Sequence, residues 1–328
     1  MTGLLVRRVA GALGAEITGV DLAKDLADHA VIAAIRSALV EHQVVFFRDQ
    51  QLTAAEQVRF GARFGPLNVH PYVSGMPGQP EVMEIIKEPE DRINFGGGWH
   101  SDMSFLEKPA IGSILYAVEV PEFGGDTLFA SQAAAYDALS PGLKKALEGL
   151  NAVHSASREY SSSGHSAQKR AGMQVAEADG YVGEFMHPMV LTHPESGRKA
   201  LYVNPAFTLR IEGWKTTESK ALLDYLFNHC RYEGFTCRFT WRNGSIAFWD
   251  NRSVWHFALN DYSGQRRHMR RVTVDPPHEA VAQDGRSVAA AVSATEPASD
   301  RLAVGAARRD RAAGPNDGVS RPGEGQHV

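Results

Sequence analysis

Cysteine is nearly absent from this chain. Two thiols in 328 residues, Cys230 and Cys237, cannot build a disulfide framework, and their spacing matches no zinc pattern. A reducing, cytoplasmic setting is the expectation. Long apolar runs are missing too: no stretch approaches about 18 consecutive apolar residues, so no membrane span is predicted. The opening MTGLLVRRVAGALGAEITGVDL lacks the continuous apolar segment of a signal peptide and soon turns acidic. Basic residues are not in excess. Lys and Arg total 34 against 38 Asp and Glu, a formal charge of -4, which gives no support to nucleic-acid binding. A small basic pocket for an anionic metabolite is compatible with that balance. Aromatic residues vanish after Pro276-Pro277, where Ala, Gly, Pro, Arg, Asp and Ser take over. Residues 279–328 are therefore expected to form a disordered tail with one weak helical stretch at 286–293, and residues 1–278 a single domain.

Within that domain the pattern is mostly strand. VVFFRD (44–49), VMEII (82–86), IGSILYAVEV (111–120), GGDTLFA (124–130), ALYVNPAFTLRIEG (200–213), TCRFTW (236–241), SIAFWD (245–250) and RRVTV (270–274) all read as extended segments. Helical spacing marks 28–41, with Asp28 as N-cap, and 53–63, where Thr53 and Glu56 stand at capping-box spacing and Gly65-Pro66 is the expected stop. Further helices are expected over 131–150, interrupted near Ser140-Pro141, and over 218–230. Residues 154–180 are polar and show no period. The helices do not alternate regularly with the strands, so a doubly wound sheet is disfavoured and a β-sandwich or jelly roll with helices outside is expected.

Residues 96–105, GGGWHSDMSF, place a histidine and a carboxylate two positions apart. If 99–103 is a strand, His100 and Asp102 share a face and can offer two ligands to one metal. His256 in NRSVWHFALNDY (251–262) is a third candidate. Two histidines and one carboxylate form the facial set that suits non-haem Fe(II) and leaves coordination positions open. With 13 histidines in the chain, unrelated surface or structural histidines are the competing reading. SGQRRHMRRVTV (263–274) crowds Arg266, Arg267, Arg270 and Arg271 into one segment. As a strand it puts Val272 and Val274 on one face and Met269, Arg271 and Thr273 on the other. An arginine on the inner face of a jelly roll needs an anionic partner. A solvated basic strand edge is the alternative.

WHSDMSF, GGDTLFA, WDNRSVWH and QRRHMRR, in this order, resemble the TauD/TfdA family of Fe(II)- and 2-oxoglutarate-dependent dioxygenases. The resemblance runs from about Leu5 to Pro277 and includes HPMVLTHPESGRKALYVNPAFTLRI (187–211). It implies a double-stranded β-helix (jelly roll, cupin-like) with flanking helices. By the same resemblance His100, Asp102 and His256 are the iron ligands at the catalytic centre, and Arg267 and Thr127 hold the distal carboxylate of 2-oxoglutarate. Arg271 would lie beside the metal, reaching the substrate anion and the near carboxylate of the co-substrate. His70 would contact the substrate anion and Phe207 would wall the pocket. Fe(II), 2-oxoglutarate and O2 are thus expected, with succinate and CO2 as co-products of C–H hydroxylation. An acid at 102, where related halogenases carry a small residue, implies hydroxylation. The run INFGGGW (93–99) is richer in glycine than the family's taurine enzymes, and 154–168 does not align with their substrate loop. The implied substrate is therefore a small organic anion: a sulfonate, sulfate ester, phosphonate or carboxylate. Two other functions are weighed beside it: a family hydroxylase acting on an amino acid, nucleotide or other metabolite in biosynthesis, and a jelly-roll binding protein that uses no iron. The family commonly forms dimers or tetramers, so a homo-oligomer is implied.

Overall fold

The computed structural model describes residues 3–161, 164, 171–173, 175 and 182–277. The expected tail at 279–328, with its 286–293 stretch, and much of 154–180 lie outside the described residues.

The tetrad Val44–Phe47 explains the architecture. Val45 and Phe47 belong to an apolar cluster with Ile32, Ile35, Leu39 and Phe60, whereas Val44 and Phe46 join another with Phe129, Phe239, Trp249 and Met269. Neighbouring strand residues point to opposite faces, so a run apolar at every position marks a strand covered on both sides. Ile246–Asp250 repeats the device, with Ile246 and Phe248 on one face and Ala247 and Trp249 on the other.

That strand lies inside an eight-stranded sheet. Its spatial order is Leu5–Arg8, Ala15–Thr18, Val44–Phe47, Ile246–Asp250, Gly112–Glu119, Arg267–Val274, Gln79–Lys87 and Gly75–Met76. Only the pairing of Ala15–Thr18 with Val44–Phe47 is parallel. Against its inner face packs a three-stranded sheet of Thr236–Phe239, Thr127–Ser131 and Val254–Ala258. A second three-stranded sheet pairs Asn151–Ser155 with Thr208–Ile211 and Glu184–Pro188, and Val190–Thr192 pairs with Lys199–Leu201. Helices His29–His42 and Ala54–Gly61 cover the outer face of the large sheet, and Gln132–Asp137 and Thr216–Cys230 pack on the smaller sheets. The chain is mainly β with helices outside, the expected jelly roll. Among the described residues no helix is long and apolar enough to cross a membrane.

Local signals held where side chains close the backbone. Asp28 accepts from Ala30 N at 2.7 Å, and Thr53 and Glu56 form the reciprocal capping box. The second helix nonetheless ends at Gly61, short of Gly65-Pro66, because Arg63 and Phe64 donate three residues back and tighten the final turn. The expected strand at 200–213 is broken in two, Lys199–Leu201 and Thr208–Ile211. Asn204 is responsible: its side chain accepts from Phe207 N and its carbonyl from Thr208 N, a turn that Pro205 cannot convert into a ladder. The patternless reading from 154 onward conceals the end of the strand Asn151–Ser155, buried on both faces. Both cysteines are free and buried in different apolar clusters.

Candidate active site

Two segments far apart in sequence meet here, one carrying His100 and Asp102 and the other His256 on the strand Val254–Ala258. His100 and His256 form a single β-bridge, His100 N donating to His256 O at 3.1 Å and His256 N to His100 O at 2.8 Å. The expected strand over 99–103 does not extend beyond that bridge. The chain turns at once, with Met103 in the left-handed region at φ 60°, so a turn following one bridged residue, and no period-2 strand, accompanies the His100–Asp102 pair. His100 Nε2 lies 3.7 Å from Asp102 Oδ1, and His256 Nε2 lies 3.9 Å from Asp102 Oδ2. One ligand atom from each of the three falls within 4.8 Å of the others, and all three residues are buried.

Their surroundings prepare these groups for a cation. His100 Nδ1 stands 2.7 Å from the Gly98 carbonyl, so it carries the proton and Nε2 keeps its lone pair. Burial pushes the His256 pKa well below its ordinary value, leaving a neutral imidazole beside Trp249, with ring centroids 4.6 Å apart. Burial would raise the Asp102 pKa, but the Arg271 guanidinium and the Ser113 hydroxyl outweigh it. They hold the carboxyl well below the usual carboxylate range. Arg271 Nη1 donates to Asp102 Oδ1 at 2.8 Å and Ser113 Oγ donates to Oδ2 at 2.8 Å, while Asn251 supports Ser113 at 3.1 Å. Two imidazoles and one ionised carboxylate fit Fe(II).

Arg267 begins the strand that also carries Arg271. It is 4% exposed, yet its Nε and Nη2 have no hydrogen-bond partner. Burial lowers its pKa. A guanidinium so placed costs several kcal/mol unless an anion joins it. Thr127 is buried as well, and its Oγ1 accepts from Trp241 Nε1 at 2.9 Å. That bond leaves the threonine's own proton free for another acceptor. The preceding Gly124 and Gly125 have φ of 74° and 67°, and a Cβ on Gly125 would come within 3.3 Å of both Arg267 Cδ and Tyr262 Cδ1. Glycine is required there by conformation and by space. An oxo-acid with a distal carboxylate suits this end of the site.

The other end opens into a cavity of about 620 Å³ walled by Phe95, Trp99, Phe105, Tyr160 and Phe207, with His70, His100 and Asp102 also on its lining. Phe207 packs against Phe105 at 4.7 Å and meets the His100 ring edge-on at 6.4 Å. His70 Nδ1 accepts from Tyr72 N and Val73 N, both at 3.1 Å, so its proton must reside on Nε2. Burial, reinforced by Arg271, pushes its pKa down to about 3. His70 is thus a neutral N–H donor. Of the eight residues picked from the sequence, His70, His100, Asp102 and Phe207 line the cavity. His256 joins His100 and Asp102, Arg271 is engaged with Asp102, and Thr127 and Arg267 lie outside the cavity lining. Sequence reading missed Ser113, Asn251, Trp241, Phe105 and Tyr160. Asn251 directly follows a flagged run and Trp241 closes another, but only contact with Ser113 or Thr127 gives either a role.

The family described as "Taurine catabolism dioxygenase TauD, TfdA family" matches residues 5–273. This chain belongs to that family. It resembles an alkylsulfatase of Acinetobacter baylyi, 36% identical over 275 residues, covering 83% of this chain and 84% of that one. An alpha-ketoglutarate-dependent sulfate ester dioxygenase of Pseudomonas putida is 38% identical over 277 residues, covering 82% and 88%. Among solved structures, a taurine dioxygenase from Burkholderia xenovorans superposes with a TM-score of 0.69 at 36% identity, covering 83% of this chain and 89% of that one. The TauD/TfdA chain described here is accordingly a 2-oxoglutarate-dependent non-haem iron dioxygenase using Fe(II), 2-oxoglutarate and O2.

Proposed function

We propose that the enzyme oxidises the carbon bearing a sulfate-ester or sulfonate group in a small anionic substrate with an apolar organic portion. The observation that carries this reading is the aromatic-walled cavity beside the His100–Asp102–His256 set, with the His70 N–H donor on its lining. The named activities of the relatives from Acinetobacter baylyi and Pseudomonas putida support it.

In this proposal His100, Asp102 and His256 hold the metal and form the catalytic centre. When bound, Fe(II) and 2-oxoglutarate supply the oxidative decarboxylation that consumes O2 and the C–H oxidation of the substrate. The protein's own work is placement. Ser113 and Arg271 keep Asp102 ionised and oriented, and the Gly98 carbonyl fixes the His100 tautomer. Arg267 and Thr127 receive the distal carboxylate, with Trp241 aiming the threonine hydroxyl. His70 Nε2–H and Arg271 receive the substrate anion, while Phe207 and Phe105 cover its carbon chain and keep water away. For a sulfate ester the balance closes simply. One atom of O2 ends in succinate and one on the substrate carbon. The carbon–oxygen bond to sulfate then breaks as the carbonyl forms, releasing an aldehyde, sulfate and a proton.

Further parts of the proposal are a single dioxygenase domain over 1–278, to which the match over 5–273 lends support, a homo-oligomeric dimer or tetramer, and a cytoplasmic location. The decisive experiment is a panel of alkyl sulfates, alkanesulfonates, amino acids and nucleotides scored for succinate release. Sulfate or sulfite should appear in step with succinate for the first two classes. Succinate coupled only to an amino acid or nucleotide would move the enzyme to a biosynthetic hydroxylation.

A further inference from the structure

Lys87 ends the strand Gln79–Lys87 and stands directly opposite Arg267 in the register of the large sheet. Directly opposed residues on antiparallel strands share a face, with Cβ atoms about 4.5–5.5 Å apart. The same register sets Ile85 opposite Met269 and Met83 opposite Arg271, so this is the inner face that carries the site. Lys87 is 4% exposed, and its Nζ has no hydrogen-bond partner. Nζ lies 4.5 Å from the centroid of the Tyr262 ring, and its charge also acts on the Asp91 carboxyl. Arg267 beside it is equally buried and has two unpartnered nitrogens.

The nearby acids make their hydrogen bonds to other groups, although Asp126 Oδ1 is buried without a partner. Glu88 pairs with Arg266, and Asp126 bonds Arg238 and Thr240 through Oδ2. Asp91 accepts from the amides of Glu88, Ala171 and Gly172. Asp261 holds Gly125 N at 2.7 Å. Asp91 and Asp126 act on the two cations only through space, so Lys87 Nζ and Arg267 Nε and Nη2 have given up solvation with no hydrogen bond in return. A single arginine could be offset by one carboxylate oxygen pair alone, so the second cation calls for an anion shared between the two.

We infer that Lys87 is a second cation for the distal carboxylate of 2-oxoglutarate, acting beside Arg267 and Thr127. This rests on the 2-oxoglutarate reading of the site. Tyr262, packed against Gly125 and lying under Nζ, holds the ammonium in place. Lys87 therefore selects for dicarboxylic 2-oxo acids over those lacking the far carboxylate.

The test is anaerobic titration of the Fe(II)-loaded protein, following the visible charge-transfer band, with 2-oxoglutarate and separately with pyruvate. Pyruvate offers the same keto-acid end and no distal carboxylate. Lys87→Met should weaken 2-oxoglutarate binding by about ten- to a hundredfold, the loss of a hydrogen bond to a charged group, and leave pyruvate unchanged. Lys87→Gln, which keeps a polar end, should fall in between, and Lys87→Arg should recover most of the affinity. Without co-substrate, Lys87→Met should melt no lower than wild type, since it removes a buried ammonium that makes no hydrogen bond. Unchanged 2-oxoglutarate affinity, equal weakening of both acids, or a lower melting temperature would overturn the inference while the wild-type band still stood. Absence of the band from the wild-type protein would instead remove the 2-oxoglutarate reading, and Lys87's role with it.

Discussion

Asp102→Ala separates the structural and metal-binding roles of one carboxylate. The side chain is paired with Arg271 at 2.8 Å, and the two are 5% and 4% exposed. Removing the acid leaves Arg271 buried with no counter-ion, and breaking a buried pair in this way costs about 3–5 kcal/mol. For a domain of this size each kcal/mol moves the melting temperature by about 2–4 °C. In the metal-free protein Asp102→Ala should therefore melt about 6–10 °C below wild type, at the smaller slope of about 2 °C per kcal/mol expected of a larger domain. Arg271→Met added to Asp102→Ala should restore most of that loss, because the stranded charge goes with it. Iron binding should behave differently. Neither variant should take up stoichiometric Fe(II), since the only carboxylate of the ligand set is missing from both. The assays are thermal denaturation in the presence of a chelator and a metal titration. A single variant melting within about 2 °C of wild type would refute the stranded-charge reasoning, and stoichiometric iron uptake by Asp102→Ala would refute the metal assignment.

Other expectations follow from the same geometry. Arg267→Ala should raise the 2-oxoglutarate dissociation constant steeply, since a buried charge pair truncated on one side costs about 2–5 kcal/mol; an unchanged titration midpoint would mean another cation holds the distal carboxylate. Trp241→Phe, which removes the 2.9 Å bond to Thr127, should cost about 0.5–1.5 kcal/mol in co-substrate affinity, a few-fold effect, measurable in the same titration. Burial depresses the His70 pKa to about 3 in the folded protein, so between that value and about 6.5 the unfolded chain binds the extra proton. Stability then falls as the pH falls through this window. His70→Gln should flatten the acid slope by up to about 1.4 kcal/mol per pH unit, read from urea denaturation at successive pH values, and an unaltered slope would show that His70 already titrates normally.

What could be read from the sequence was whatever local chemistry or a fixed period encodes. Asp28 and Thr53 cap their helices through their own side chains, and VVFF announces a strand buried on both faces because period-2 alternation needs no distant partner. Alternation along Arg267–Val274 placed Val272 and Val274 beneath the helices and Arg271 inside. The quoted motifs carried the family and its candidate residues. Local pattern misled where a side chain far along the chain decides. Asn204 breaks a strand that its neighbours' propensities favour, and the His100–Asp102 pair comes with a turn after one bridged residue.

The sequence by itself determined the strand and helix periods, the jelly-roll class and the residue types a ferrous oxo-acid site needs. Only tertiary structure decided which groups are left without partners. Lys87 and Arg267 are 180 positions apart in sequence and meet only through sheet register, and whether a buried polar atom is satisfied depends on every element packed around it. The same holds for the His70 tautomer, set by two backbone amides, and for Ser113 behind Asp102. Burial and pairing are properties of the assembled interior, so no local reading of residues 87, 113 or 241 could have assigned them a role.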